Sequence, residues 1–307
     1  QALVNMVNTV ALRLVLAKAV PVGQFRFEVL SRTARYSGGV TGILMVLTLL
    51  AQMDKLLLSR LLPLEAFGYY VLAWTLASVL SYFASPVTTA LFPRLVRAYN
   101  AHQPQELARL YHLGCQLVGV LVVPVAAVLV CYAHPVLYAW AQSAVIADRA
   151  ALLLQLLVSG STINLLLAMS YSLQAAAGWN RLAFMVHSIS IPLMAGLLVA
   201  GVLQGQAAGA AACWIALYAI HMMVAPYLMH LRILGGEYRV WFMGDVLVPV
   251  AAGIMAVAAV RMALPVPVTI VGTVAAGMAA WIAGVAAQSV CSNRLRVRLF
   301  AAFLKRS

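Results

Sequence analysis

Two neighbouring charges, Asp54 and Lys55, stand in a mostly apolar stretch, Gly39–Leu61. A charge at mid-bilayer costs roughly 2.5–3.5 kcal/mol on insertion scales, and such residues are usually paired or functional. A cation there either binds an anionic group such as a phosphate or neutralises a neighbouring acid. An acid there either pairs with a donor or holds a coupling ion. Adjacent helical positions lie about 100° apart, so the two charges address different faces. Lys55 lies about 24 Å along a helix from Gly39, and snorkelling to the interface is the competing account of it. Asp54 is shorter and needs a partner, either Lys55 or a donor from another helix.

The surroundings of Lys55 are polar in a periodic way. Thr41, Met45, Thr48, Gln52, Lys55 and Ser59 recur every three or four residues and share one helical face. That stripe is about 27 Å long. Tyr70, Trp74, Ser78, Ser81, Ser85 and Thr88 form a second stripe. Gln155, Ser159, Thr162, Asn164, Ser170 and Gln174 load a third segment, and Trp214, Tyr218 and His221 a fourth, more weakly. Polar side chains face each other or water, not lipid. Long stripes on several helices point to a hydrated cavity between them, and ordinary interhelical hydrogen bonding is the alternative.

Other chemistry is sparse. The sequence has no G-x-G-x-x-G, no G-x-x-x-x-G-K, no H-E-x-x-H and no G-x-S-x-G. Its six histidines show no metal-ligand spacing; His112, His134 and His230 fall near the ends of apolar stretches, where an interfacial role is expected. Asp54 is the only acid expected within a span. Cys115, Cys131, Cys213 and Cys291 are far apart and read as buried free thiols rather than a disulfide framework or zinc site. Gly201, Gly205 and Gly209 give two overlapping G-x-x-x-G patterns across a turn, which fit either a loop or helix packing.

The elements that must position these residues follow from composition. The 307 residues are 64% hydrophobic and only 9% charged, against about 25% charged in soluble domains. That excludes a soluble globular enzyme, and it excludes disorder. Apolar stretches long enough to cross a bilayer run at about Gly39–Leu61, Phe67–Leu91, Tyr111–Tyr132, Ala150–Ser172, Leu182–Leu203, Ala207–His230, Val246–Met262 and Val266–Gln288. Pro86, Pro124, Pro192 and Pro226 lie inside them and are expected to kink their helices. The chain opens on Gln1 in an apolar stretch too short to span, as expected for a chain truncated inside a first helix.

Net charge is +13. With alternating loops, sixteen of the 20 Lys and Arg fall on one side and only Arg60, Arg149 and Arg261 on the other, with Lys55 in a span. By the positive-inside rule the richer side, including the basic amphipathic tail, is cytoplasmic. The basic charge is thus a membrane signature, and no nucleic-acid partner is expected. The poorer side has short links, the longest His134–Arg149, with no room for a catalytic domain.

The run Gln52-Met-Asp-Lys-Leu-Leu-Leu-Ser-Arg-Leu-Leu-Pro-Leu-Glu-Ala-Phe-Gly-Tyr-Tyr-Val-Leu-Ala-Trp74 resembles the central signature of polysaccharide-biosynthesis (O-antigen) flippases. Ser85-Pro86, Ala90-Leu-Phe-Pro-Arg94 and Leu110-Tyr-His-Leu-Gly114 fit the same family. The resemblance is strong over about residues 37–135 and hydropathic beyond. The family belongs to the MATE-like superfamily of multidrug, oligosaccharidyl-lipid and polysaccharide exporters. What the resemblance implies is two six-helix lobes related by pseudo-symmetry and a cationic cavity for a polyprenyl-pyrophosphate-linked glycan. Lys55 is the cation that carries over to that cavity.

The expectation is therefore an all-α polytopic transmembrane bundle. Residues 1–20 would end a truncated helix of a first lobe, and 21–38 form a basic cytoplasmic linker. Residues 39–231 would be a second six-helix lobe, 232–289 a cytoplasmic loop and two further helices, and 290–307 a cytoplasmic tail. The expected function is a non-enzymatic flippase of the inner membrane, without cofactor or metal. Its partners would be the bilayer, the lipid-linked oligosaccharide and other polysaccharide assembly proteins. Lys55, Gln52, Thr48, Ser59, Tyr70, Trp74, Ser81, Ser85, Gln155 and Asn164 would line the cavity, with Asp54 as ion-coupling or charge-pairing residue. A cation-coupled multidrug antiporter of the same superfamily and a membrane-embedded glycan polymerase or ligase are the alternatives. The first wants acids in its cavity, and the second wants a large basic outer loop.

Overall fold

A computed structural model describes residues 45–46, 48–263 and 270–292. The chain divides into two units, residues 1–45 and 46–307, and the description below concerns the second. The expected truncated helix, basic linker, Thr41 and all of the basic tail past Ser292 lie outside the described residues.

The described residues are helical and contain no strand. We number the helices α1 (residues 48–61), α2 (Leu64–Ser78), α3 (Ser81–Asn100), α4 (Pro104–Cys131), α5 (Ala133–Ala141), α6 (Ala144–Leu166), α7 (Ala168–Ala176), α8 (Asn180–Ile233), α9 (Tyr238–Ala263) and α10 (Ile270–Cys291). Six runs among them are long and apolar enough to cross a membrane: Leu64–Asn100, Pro104–Cys131, Ala144–Ala176, Asn180–Ile233, Tyr238–Ala263 and Val274–Cys291. The chain is an all-α polytopic bundle, as its composition requires.

At its centre is α4. Leu110–Gln116 is buried at every position, and so is most of the helix beyond it. A helix apolar all round belongs inside a bundle, and α4 packs against α3, α6, α9 and α10. Pro104 opens it at a position where the missing N–H is no loss, with Glu106 in the first turn. On one side α2 and α6 pack together, and α6 packs on α8. Leu58, Tyr70, Leu137, Leu154, Leu157 and Trp214 form the core there.

The 54-residue α8 is not one rod. Gly205 (φ −143°, ψ 16°) and Gln206 (φ 49°, ψ −130°) break it into two arms. The arms fold back on each other: the Cys213 thiol reaches the Leu197 carbonyl at 3.0 Å. A Cβ on Gly209 would clash with the Gly201 carbonyl oxygen. The glycine pattern is thus both a turn and a packing surface, and the two expected spans, Leu182–Leu203 and Ala207–His230, are these arms.

The connections gather at two ends, as the alternation of loops demands. Pro63, Arg149, Gly205 and Gln206 line one cleft of ≈ 350 Å³. At the opposite end the Arg232 guanidinium lies 4.5 Å from the centroid of the Trp179 ring, and Glu237 reaches His112. The 134–149 link is largely ordered helix. It holds α5, a turn at Gln142 (φ 51°), and Ser143, whose Oγ accepts from the Ile146 N–H at 3.4 Å to cap α6. The helix expected to begin at Val246 begins at Tyr238, because a π-helical turn, Trp241–Leu247, extends it. That extension carries Asp245 into the helix, so Asp54 is not the only acid in a span.

Candidate functional site: the Asp54–Lys55 cluster

In α1 the spacing of Leu50, Met53, Asp54 and Leu58 makes one buried face. Asp54 is fully buried, and its position on this face turns it toward α2. There Tyr70 Oη donates to Asp54 Oδ2 at 2.8 Å, and Trp214 Nε1 of α8 donates to Tyr70 Oη at 3.1 Å. Three helices thus converge on one carboxylate. A buried charge without partners would cost several kcal/mol, and these donors offset that cost.

Lys55, one residue on, sits at the edge of the same cluster with a quarter of its side chain exposed. Its Nζ lies 3.5 Å from Asp54 Oδ1, donates to the Ala51 carbonyl at 3.3 Å, and stands 4.4 Å from the centroid of the Trp74 ring. The ammonium is folded onto its own carboxylate and an aromatic face, a cation–π arrangement, rather than extended along the helix as snorkelling would have it. Asp54 therefore has both kinds of partner weighed for it: Lys55 and a donor from another helix. The arrangement presents a positive group, with its acid turned inward, beside the exposed Gln52.

The polar stripes separate into two kinds. Thr48, Gln52 and Ser59 on α1 and Ser78, Ser81 and Ser85 on α2–α3 are exposed, and Thr88 is half-buried. Trp74 is half-buried between the two groups. Tyr70 is fully buried, so in this conformation it holds Asp54 and does not line a surface. The third stripe points into the bundle. Gln155 Nε2 donates to the Val130 carbonyl at 3.0 Å, tying α6 to α4. Ser170 meets Tyr111 Oη at 2.9 Å. Asn164 is half-buried, and Gln174 is buried with neither amide atom hydrogen-bonded. Ser159 and Thr162 donate to carbonyls one turn back in their own helix.

The fourth stripe, the faintest in the sequence, is the most connected. Trp214 contacts Trp74, with ring centroids 5.2 Å apart, and stacks on Tyr218 at 5.3 Å. Tyr218 meets His221 edge-on at 5.9 Å, and His221 meets His187 at 5.5 Å. Ser190 Oγ lies 2.6 Å from His221 Nε2. An unbroken aromatic row runs from Lys55 along the second arm of α8. Spacing of i, i+4, i+7 from Trp214 was the signal for it.

The family model described as polysaccharide biosynthesis protein matches residues 1–141. Over that stretch the chain is similar to polysaccharide biosynthesis proteins. The stretch includes Asp54, Lys55, Tyr70 and Trp74, and stops short of Trp214. No curated protein matches the chain.

Sequence reasoning misplaced two histidines. His112 and His230 are not interfacial but buried. His112 Nδ1 contacts Asp245 Oδ2, and Gln116 Nε2 donates to Asp245 Oδ1 at 2.6 Å. The pairing depends on the π-helical turn of α9, which no periodicity of 3.6 foretells. All four cysteines are free; Cys115 and Cys213 are buried, while Cys131 and Cys291 are half-buried.

Proposed function

We propose that this chain is the substrate-handling part of an inner-membrane flippase. It moves a polyprenyl-pyrophosphate-linked oligosaccharide from the cytoplasmic to the outer leaflet. The observation that carries the reading is Lys55: a cation inside an apolar bundle, anchored by buried Asp54 and left partly exposed on a polar face. The match to polysaccharide biosynthesis proteins over residues 1–141 supports the substrate class.

A pyrophosphate needs donors to leave water. Lys55 supplies a charge-assisted donor, and Gln52 adds an amide beside it. Asp54 holds the ammonium in place without facing the substrate, so the anion meets the cation first. The isoprenoid tail stays in lipid. Alternating access by rocking of two lobes exposes the face to either side, and no bond is made or broken. The C-terminus lies in the cytoplasm in this reading.

A second reading, a cation-coupled drug antiporter, draws on Asp245, which gives the bundle a second buried acid. The two readings separate in cells lacking the protein. A flippase leaves lipid-linked repeat units accumulated on the cytoplasmic leaflet and surface glycan absent. An antiporter leaves surface glycan normal and cells more sensitive to cationic drugs. Normal glycan in such cells overturns the flippase reading.

A further inference from the structure

A groove of ≈ 560 Å³ lies between α10 and the junction of α4 with α5, with Phe83 of α3 also in its wall. That volume is in the range of small-ligand pockets. Val128 of α4, Trp140 of α5, and Gly277, Met278 and Trp281 of α10 make its walls apolar. None of the wall belongs to α1, α2 or α8, the helices of the Asp54–Lys55 cluster. Trp140, Met278 and Trp281 are exposed, so the groove opens sideways from the bundle. Both α4 and α10 are long and apolar enough to cross a membrane. The groove runs from Val125 to Tyr132 on one side and from Val274 to Trp281 on the other, about 10 Å of helix. Half of a hydrocarbon core of about 30 Å is longer than that, so the groove fits within one leaflet.

Its polar end distinguishes it from a bare lipid-facing surface. Tyr132 lines the groove at the α4–α5 junction and is almost fully buried. Its hydroxyl has no hydrogen-bond partner among the described residues. A buried donor of this kind is stabilised by any acceptor that a ligand brings. The Arg261 guanidinium, in the last turn of α9, stands 5.5 Å from the centroid of the Tyr132 ring. Among the described residues Arg261 makes no salt bridge. A guanidinium matches a phosphate as a planar fork. Trp and Tyr collect at the headgroup level of membrane proteins, and Trp140 and Tyr132 mark that level here.

We propose that this groove holds one acyl chain of a resident anionic glycerophospholipid, with the phosphate on Arg261 and an ester carbonyl accepting from Tyr132 Oη. An apolar slot one leaflet deep, a donor at its end and a cation beside the donor match the chain, ester and phosphate of such a lipid in order. A free phosphate would leave the slot empty, and an uncharged lipid would leave Arg261 unpaired. The bound chain fills the wedge between α10 and the α4–α5 junction, and so holds α10 against the bundle. The inference goes beyond the flippase reading and does not rest on it, because it concerns a lipid that stays rather than one that is moved.

Thermal unfolding of the full chain in detergent tests it, titrated with phosphatidylglycerol, phosphatidylcholine or a polyprenyl phosphate, alongside native mass spectrometry of the retained lipid. The expected result is a saturable rise in midpoint with phosphatidylglycerol, at lower concentration than with the other two, and one phosphatidylglycerol retained per chain. Arg261→Gln should weaken that response about fivefold, the effect of one cation near a membrane surface, and abolish the preference over phosphatidylcholine. Gly277→Ala puts a methyl at ordinary contact distance from Val128 and should respond like the wild type. Gly277→Leu fills the groove and should lose the response while its lipid-free midpoint stays near that of Gly277→Ala. Should Gly277→Leu not fold, Arg261→Gln alone decides. Equal responses to phosphatidylglycerol and phosphatidylcholine in the wild type mean an unselective lipid belt and overturn the site. A preference for the polyprenyl phosphate overturns the resident lipid in favour of a transported one. An undiminished response in Arg261→Gln, or in folded Gly277→Leu, overturns the placement.

Discussion

At the scale of single residues, the cluster turns on how a charge is kept in an apolar bundle. Asp54 is held by Tyr70 and Lys55, and Tyr70 by Trp214. Tyr70→Phe removes the donor to Asp54 Oδ2 and leaves Trp214 Nε1 without its acceptor. It should destabilise the protein by about 1–3 kcal/mol, read as a lower midpoint of thermal unfolding in detergent. An unchanged midpoint would mean that Asp54 is satisfied in some other way. The sequence showed that Asp54 and Lys55 needed explaining, because charge in an apolar run is visible in one dimension. It could not show which partner Asp54 takes, because Tyr70 and Trp214 are 16 and 144 residues from the groups they bond.

At the scale of helices, hydroxyl stripes proved a weaker signal than amides and charges. Ser59, Ser78 and Thr88 donate to carbonyls three residues back in their own helices, and Ser81 to the carbonyl of Ser78 at the end of the helix before it. A hydroxyl satisfied in this way sits cheaply against lipid as well as water. Lys55 also donates to the Ala51 carbonyl, but its ammonium and the Gln52 amide carry more donors than one backbone carbonyl satisfies. In a background without the four cysteines, a cysteine at Gln52 should react with a water-soluble thiol reagent, and cysteines at Leu50 and Leu58 should be protected. Equal labelling would remove the hydrated face. The glycine pattern makes a second test. Gly209→Ala drives a methyl into the Gly201 carbonyl and should lower both thermal midpoint and membrane level, whereas Gly68→Ala, with no atom within 4 Å, should change neither. Equal behaviour would show that the arms of α8 are not closely packed. Element boundaries shifted where backbone geometry departs from the plain α-helix. The π-helical turn moved the start of α9 by eight residues, from Val246 to Tyr238, and with it the location of Asp245.

At the scale of the whole molecule, composition and loop alternation were enough for the bundle, since low charge and long apolar runs admit few other folds. They were not enough for the interior of that bundle, where contacts join residues over a hundred positions apart. The distribution of Lys and Arg predicts opposite sides for Ser143 and Ser307: reporters fused at these two sites should be active in different compartments, and activity in the same one contradicts the orientation. The central claim is that Lys55 meets an anionic headgroup during glycan export. Its most direct measurement is surface glycan in cells expressing the full-length protein with Lys55→Arg, Lys55→Ala or Lys55→Glu, with membrane protein levels measured alongside. Lys55→Arg should keep most of the export, Lys55→Ala should reduce it at equal protein level, and Lys55→Glu should reduce it further through repulsion of pyrophosphate. Near-normal export by the Ala variant would rule out that contact and leave Lys55 as no more than the counter-charge of Asp54.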